Sequence, residues 1–107
     1  MTGFRGTDDS GRVVEPLAPV QLRAMLQQAA TFVVVQRAGP GGGPSAQARR
    51  SDGERWRVEV RSGAPGHHLS SHAPNTDAAY DLLRSWCADD GWWQQAFSWE
   101  PVGHRPG

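Results

Sequence analysis

The chain contains no lysine and no isoleucine, and it has a single cysteine, Cys87. A GC-rich coding sequence replaces Lys with Arg and Ile with Val or Leu, so the arginine content alone does not indicate nucleic acid. The 11 basic and 11 acidic residues cancel. A neutral domain lacks the long-range field that drives non-specific DNA binding, which argues against a nucleic-acid partner. One cysteine forms no internal disulfide, whereas a small secreted domain ordinarily relies on several. Residues 1–10 lack the apolar centre of a signal peptide. No apolar run approaches the roughly 20 residues of a membrane span. These absences lead to the expectation of a cytoplasmic protein that does not associate with a membrane.

Motifs of chemistry are missing as well. There is no nucleophile elbow, dinucleotide fingerprint, Cys-x-x-Cys or His-Glu-x-x-His. The glycine run at residues 39–44 (GPGGGP) has no Gly-Lys-Ser/Thr after it and reads as a plain loop. No catalytic residue, metal ligand or cofactor follows from the sequence, and there are no positive grounds for an enzyme.

What is present is a lean composition, 37% hydrophobic with 13 Gly and 8 Pro, which suggests a small core between loose ends. Residues 1–15 are polar and glycine-punctuated and read as a disordered tail. Residues 103–107 read as a second tail, and residues 16–102 as a single α+β domain. Within it, residues 17–30 predict a helix with Pro19 in its first turn and one apolar stripe through Leu22, Met25, Leu26 and Ala29. The run Phe32, Val33, Val34, Val35 predicts an interior strand at 31–37, buried on both faces over part of its length. Strands at 45–50 and 54–61 flank Ser51-Asp52-Gly53, a hairpin-turn signal. In the second arm Trp56, Val58 and Val60 alternate with Arg55, Arg57, Glu59 and Arg61, as in a strand with one wet face. After a turn at 62–66, residues 67–72 predict a fourth strand. Asn75 or Thr76 caps a second helix at 77–89, whose apolar stripe is Ala79, Leu82, Leu83 and Trp86. Gly91 stands where a C-terminal cap belongs. A short helical turn with Trp93, Ala96 and Phe97 on one side follows, and Trp99 and Val102 close over the core. The expected architecture is a four-stranded antiparallel meander with the helices on one face.

Three groups of side chains are candidates for function. His67, His68 and His72 do not form a metal site in a strand: His67 and His68 point to opposite faces, and His68 and His72 lie about 13 Å apart at 3.3 Å per residue. The wet face of the sheet collects Arg55, Arg57, Glu59, Arg61, His68 and His72, with Gln47 and Arg49 on the neighbouring strand. Guanidinium groups on a rigid sheet suit carboxylate or phosphate, although a solvated face with cross-strand ion pairs accounts for the same pattern. Four of the five tryptophans crowd the C-terminal third. Adjacent Trp92 and Trp93 cannot both point inward from a helix, so Trp92 is the candidate exposed interface anchor. Asp77, Asp81, Asp89 and Asp90 read as a solvated helix face, and Cys87 as an inert buried thiol.

The segments FVVVQR (32–37), RVEVRSGAPGHH (57–68), LLRSW (82–86) and GWWQQAFSW (91–99) resemble a group of small uncharacterised actinobacterial, Streptomyces-type proteins. Their pattern is a Glu-x-Arg-x-Gly-x-Pro-x-x-His stretch, here Glu59, Arg61, Gly63, Pro65 and His68, followed by a tryptophan-rich end. The resemblance spans about two thirds of the chain. It implies an α+β fold in a bacterial cytoplasm and no particular activity. The expected function is a non-catalytic protein-binding module, with an antitoxin or immunity-type inhibitor as one form, by analogy of size and fold. The alternative is a small anionic-ligand site on the Arg/His face. A second copy of the chain is a further candidate occupant of that face.

Overall fold

The computed structural model describes residues 3–37, 44–61 and 68–102. The expected loop at 39–44 lies, apart from Pro44, outside them. So do the 62–66 turn, His67 and the 103–107 tail. The elements follow in the order β1 (Phe4–Asp8), β2 (Val13–Val14), α1 (Pro19–Gln28), β3 (Phe32–Arg37), β4 (Ser45–Arg50), β5 (Trp56–Arg61), β6 (His68–Ala73), α2 (Thr76–Ala88), α3 (Trp92–Ala96) and β7 (Glu100–Pro101). The α+β class and the β3–β4–β5–β6 meander hold. The sheet itself is wider than four strands: seven antiparallel strands run in the order β2-β1-β3-β4-β5-β6-β7.

The added strands come from segments that carry no strand signal. Residues 1–15 do not form a tail from Phe4 onward, because β1 pairs with β3 over its whole length, from Phe4 opposite Arg37 to Asp8 opposite Val33. Alternation places Phe4, Gly6 and Asp8 on the core face. Gly6 is needed there because a Cβ would lie 2.9 Å from Met25 Sδ and 3.0 Å from Leu17 Cδ1. Asp8 is buried at a chain reversal that its own carboxylate closes. Oδ1 accepts from the Ser10 hydroxyl at 2.6 Å and from the N–H groups of Ser10 and Arg12 at 3.0 and 3.1 Å. Those donors, the Ser10 hydroxyl first, hold the Asp8 carboxyl below the ordinary aspartate pKa against the opposing pull of burial.

Both sheet edges end in two-residue strands. On the β1 side, Leu17 N–H donates to Phe4 C=O, Gly6 and Thr7 pair with Val14 and Val13, and Asp8 N–H donates to Arg12 C=O. On the β6 side, Leu69 and Ser70 pair with Pro101 and Glu100, and Val102 N–H donates to His68 C=O.

All the described helices lie on one side of the sheet. Helix α1 begins at Pro19, where a missing N–H is harmless. Ala18 offers no capping side chain, and instead its N–H donates to Gln21 Oε1 at 2.8 Å. At the other end, Arg50 donates to the carbonyls of Ala29 (2.8 Å) and Leu26 (3.2 Å) and stacks on Trp56. A guanidinium there satisfies orphan carbonyls and complements the negative end of the helix. Asn75 caps α2 by accepting from Ala78 N–H at 2.8 Å. Gly91 does not cap α2. Asp89 takes the left-handed cap position at φ 56°, and Gly91, at φ 81°, precedes α3. The core between the layers is built from Leu17, Leu22, Met25 and Leu26, then Val33, Val35, Ala46 and Ala48, then Trp56, Val58 and Val60, and Leu82 and Leu83. Trp56 is fully enclosed and donates from Nε1 to Thr76 Oγ1 at 3.1 Å. Among the described residues no helix is long and apolar enough to cross a membrane.

Candidate functional site

The strand pattern that buries Trp56, Val58 and Val60 sends the alternate side chains to the face opposite the helices. Among the described residues no element packs on that face. Register sorts it into three rows running across the strands. The first is Arg5, Gln36, Ser45, Arg61 and His68. The second is Thr7, Val34, Gln47, Glu59, Ser70 and Glu100. The third is Phe32, Arg49, Arg57 and His72.

Glu59, half-buried in the middle row, ties the outer rows together. Its Oε2 lies 3.3 Å from Arg57 Nε and its Oε1 lies 2.8 Å from His68 Nε2. One carboxylate therefore contacts a basic neighbour in each of the other rows. Arg5 is 3.9 Å from Glu15. Among the described residues Arg49, Arg55 and Arg61 have no carboxylate partner. Arg49 leans over the Phe32 ring, with its guanidinium carbon 5.7 Å from the centroid.

The structure thus brings Arg57, Glu59, Arg61, His68 and His72 onto one surface. Arg55 sits just before β5 and is exposed; with His72, Ala73 and Pro74 it lines a depression at the end of the sheet. His68 and His72 stand at opposite ends of β6, opposite Arg61 and Arg57 respectively. Gln47 joins the middle row and Arg49 the third. The site also includes Phe32 and Val34. The sequence run around them suggests burial on both faces, but the open side leaves each only half-buried. Their outward positions follow from parity with Val33 and Val35, a signal that a continuous apolar run hides. Between Val34, Ser45, Gln47, Glu59, Arg61 and His68 lies a shallow depression of about 110 Å³.

Trp92 is elsewhere, on the helical layer, so the two candidate surfaces do not merge. It is 47% exposed while Trp93 is 8% exposed. Trp93 N–H donates to Ser85 Oγ at 3.0 Å, and the Trp93 ring meets Trp99 edge-on at 5.3 Å. Trp92 packs edge-on against Phe97 and borders a groove with Asp81, Arg84 and Asp90. The hydroxyl of Ser85, which accepts from Trp93, donates to Asp90. That bond, followed by the Trp92 N–H, holds the exposed Asp90 carboxyl below its usual pKa. Ser85 has no histidine beside it among these partners, so it acts as a hydrogen-bond relay between helices. Burial pushes the Cys87 thiol up to about 12, which keeps it protonated and unreactive at neutral pH.

Comparison of the chain with protein-family models, with curated proteins and with solved structures finds no match.

Proposed function

We propose that the protein is a non-catalytic interaction module that docks a protein partner on the open face of its sheet. The supporting observation is the one-sided packing. All described helices cover one face, while the other presents arginines and histidines around Phe32 and Val34 with nothing described above them. The five longer strands span about 19 Å across and about 20 Å along, on the order of 400 Å² in plane. That is about half of the roughly 800 Å² that each partner contributes to a standard interface. Strands fix the side chains in register, so a partner meets a prepared array and loses little freedom in ordering it. An antitoxin or immunity-type inhibitor is one biological form such a module takes.

A small anionic ligand has less support. The depression beside Arg61 and His68 is well below the roughly 300 Å³ of ordinary ligand pockets, and the one beside Arg55 and His72, about 340 Å³, is wide open to solvent. The Glu59 carboxylate also stands within the first, 2.8 Å from His68 Nε2, and opposes a second anion.

The test uses a photo-crosslinking residue in place of Gln47 on the open face, or of Gln94 on the helical side, in cells of the native host. The expected result is one specific protein adduct from position 47, absent from position 94 and lost in an Arg57→Glu/Arg61→Glu variant. An adduct from position 94 alone, or none from either, overturns the proposal.

A further inference from the structure

The third row carries a feature that folding does not call for. Arg49 and Arg57 are directly opposite each other on adjacent strands, and His72 is opposite Arg57 on the next. Like charges in that position destabilise a sheet. No acidic residue stands in the row, and the carboxylate that reaches it, Glu59, comes from the middle row and meets Arg57 at Nε, 3.3 Å away. Arg49 has no ion-pair partner among the described residues. At the end of the row beyond Arg49 stands the Phe32 ring, over which the Arg49 guanidinium leans and which offers an apolar contact once that arginine turns to a carboxylate. All three basic side chains are exposed, while Phe32 is half-buried.

The spacing of the row restricts what fits it. Adjacent strands are about 4.8 Å apart, so the four residues from Phe32 to His72 span about 14 Å. A helix lying across the strands presents one side chain per turn at about 5.4 Å, or about 16 Å over three turns. An extended peptide presents same-face side chains every 6.6 to 6.8 Å, about 20 Å over three intervals. Arginine side chains absorb the helix mismatch of about 2 Å but not the larger one. Paired carboxylates one turn apart then meet Arg49 and Arg57, and a residue one turn beyond meets Phe32.

Accepting the open face as the docking surface, we infer that its partner presents an acidic helix. It lies across the strands along Phe32, Arg49, Arg57 and His72, with carboxylates at i on Arg57 and at i+4 on Arg49, and an apolar side chain at i+7 on Phe32.

The probe is a stapled helical peptide with Glu at i and i+4 and Leu at i+7, titrated into the full-length protein and followed through arginine Nε–H and histidine NMR signals. Controls are a peptide of the same composition held extended by proline, and a single-stranded oligothymidylate. The expected result is saturable shifts at Arg49, Arg57 and His72 with the helical peptide only. Arg49→Glu alone provides the control for folding. It exchanges the stacking on Phe32 for a cross-strand ion pair with Arg57, so it leaves the melting midpoint within about 4 °C of wild type while weakening the peptide about tenfold or more. A peptide with Lys at i+4 paired with Arg49→Glu restores binding. Equal or tighter binding of the extended peptide or the oligonucleotide overturns the inference, as do shifts confined to Arg61 and His68. Should the helical peptide fail while Arg57→Glu/Arg61→Glu still abolishes the crosslink from position 47, the docking face stands and the acidic helix falls. Should that variant retain the crosslink, both fall.

Discussion

Replacing Gly6 with valine tests whether the N-terminal strand belongs to the core. Gly6 lies on the core face of β1, against Met25 and Leu17, both fully buried. A first added carbon already falls 2.9 Å from Met25 Sδ, and two methyl groups follow it. Forcing such atoms into a filled interior costs about 1–3 kcal/mol, and enclosure on both sides places this site near the top of that range. Against this, a branched residue in a strand restricts the unfolded chain and returns about 0.5–1 kcal/mol. The net expectation is a loss of about 2 kcal/mol, which for a domain of about 100 residues lowers the melting temperature by about 8–16 °C. Urea unfolding followed by tryptophan fluorescence reads the same change as a lower midpoint at constant slope. Thr7→Val, one residue along and facing outward, serves as the control and leaves the midpoint within about 0.5 kcal/mol of wild type. A Gly6→Val midpoint indistinguishable from wild type refutes the packing of β1 against α1.

Three further outcomes follow from the same contacts. Arg50→Met retains stem packing against Trp56 but strips the Ala29 and Leu26 carbonyls of their donor. It costs about 1–2 kcal/mol, read by thermal unfolding, and Arg50→Lys recovers part of it. Asp8 has a depressed carboxyl pKa in the folded state. Its stabilising contribution is complete above the unfolded value of about 3.9 and is lost as pH falls through the lower folded value. Asp8→Asn therefore flattens the acid limb of the stability profile measured by urea titration between pH 2 and 6, and an unchanged acid limb removes this role. Cys87 stays unmodified by iodoacetamide at pH 8 in the native protein and reacts in urea with the unfolding transition. Rapid native labelling contradicts its burial.

The elements readable from the sequence are those whose apolar residues keep a clean period. The Trp56, Val58, Val60 alternation and the Leu22, Met25, Leu26, Ala29 stripe each bury the side chains that the period selects. Strand β1 is invisible to that reading because its core positions are an aromatic, a glycine and an aspartate. Gly6 is required by its neighbours' size, and Asp8 by a turn it closes itself, so neither signals burial alone. Gly91 misleads because Asp89, whose type tolerates the left-handed region better than most, takes the cap first. On the open face, parity alone places Arg57, Glu59 and Arg61 together. The direct pairing of Arg49 with Arg57, and the outward position of Phe32, depend on register between strands, which is set by the hairpin at 51–55. There Arg55 N–H donates to Asp52 C=O around Gly53 at φ 58°.

The two-residue strands at the sheet margins have a bearing on how the molecule behaves in a crowded solution. Sheets grow into fibres by recruiting new chains through idle main-chain groups at their borders. On one border the donors and acceptors of β1 are already engaged by its own flanking turn and by Leu17, and on the other the edge strand carries a proline, which has no N–H to offer. A protein guarded in this way tolerates a broad uncovered surface without polymerising, and its associations are left to side chains, which can let go again.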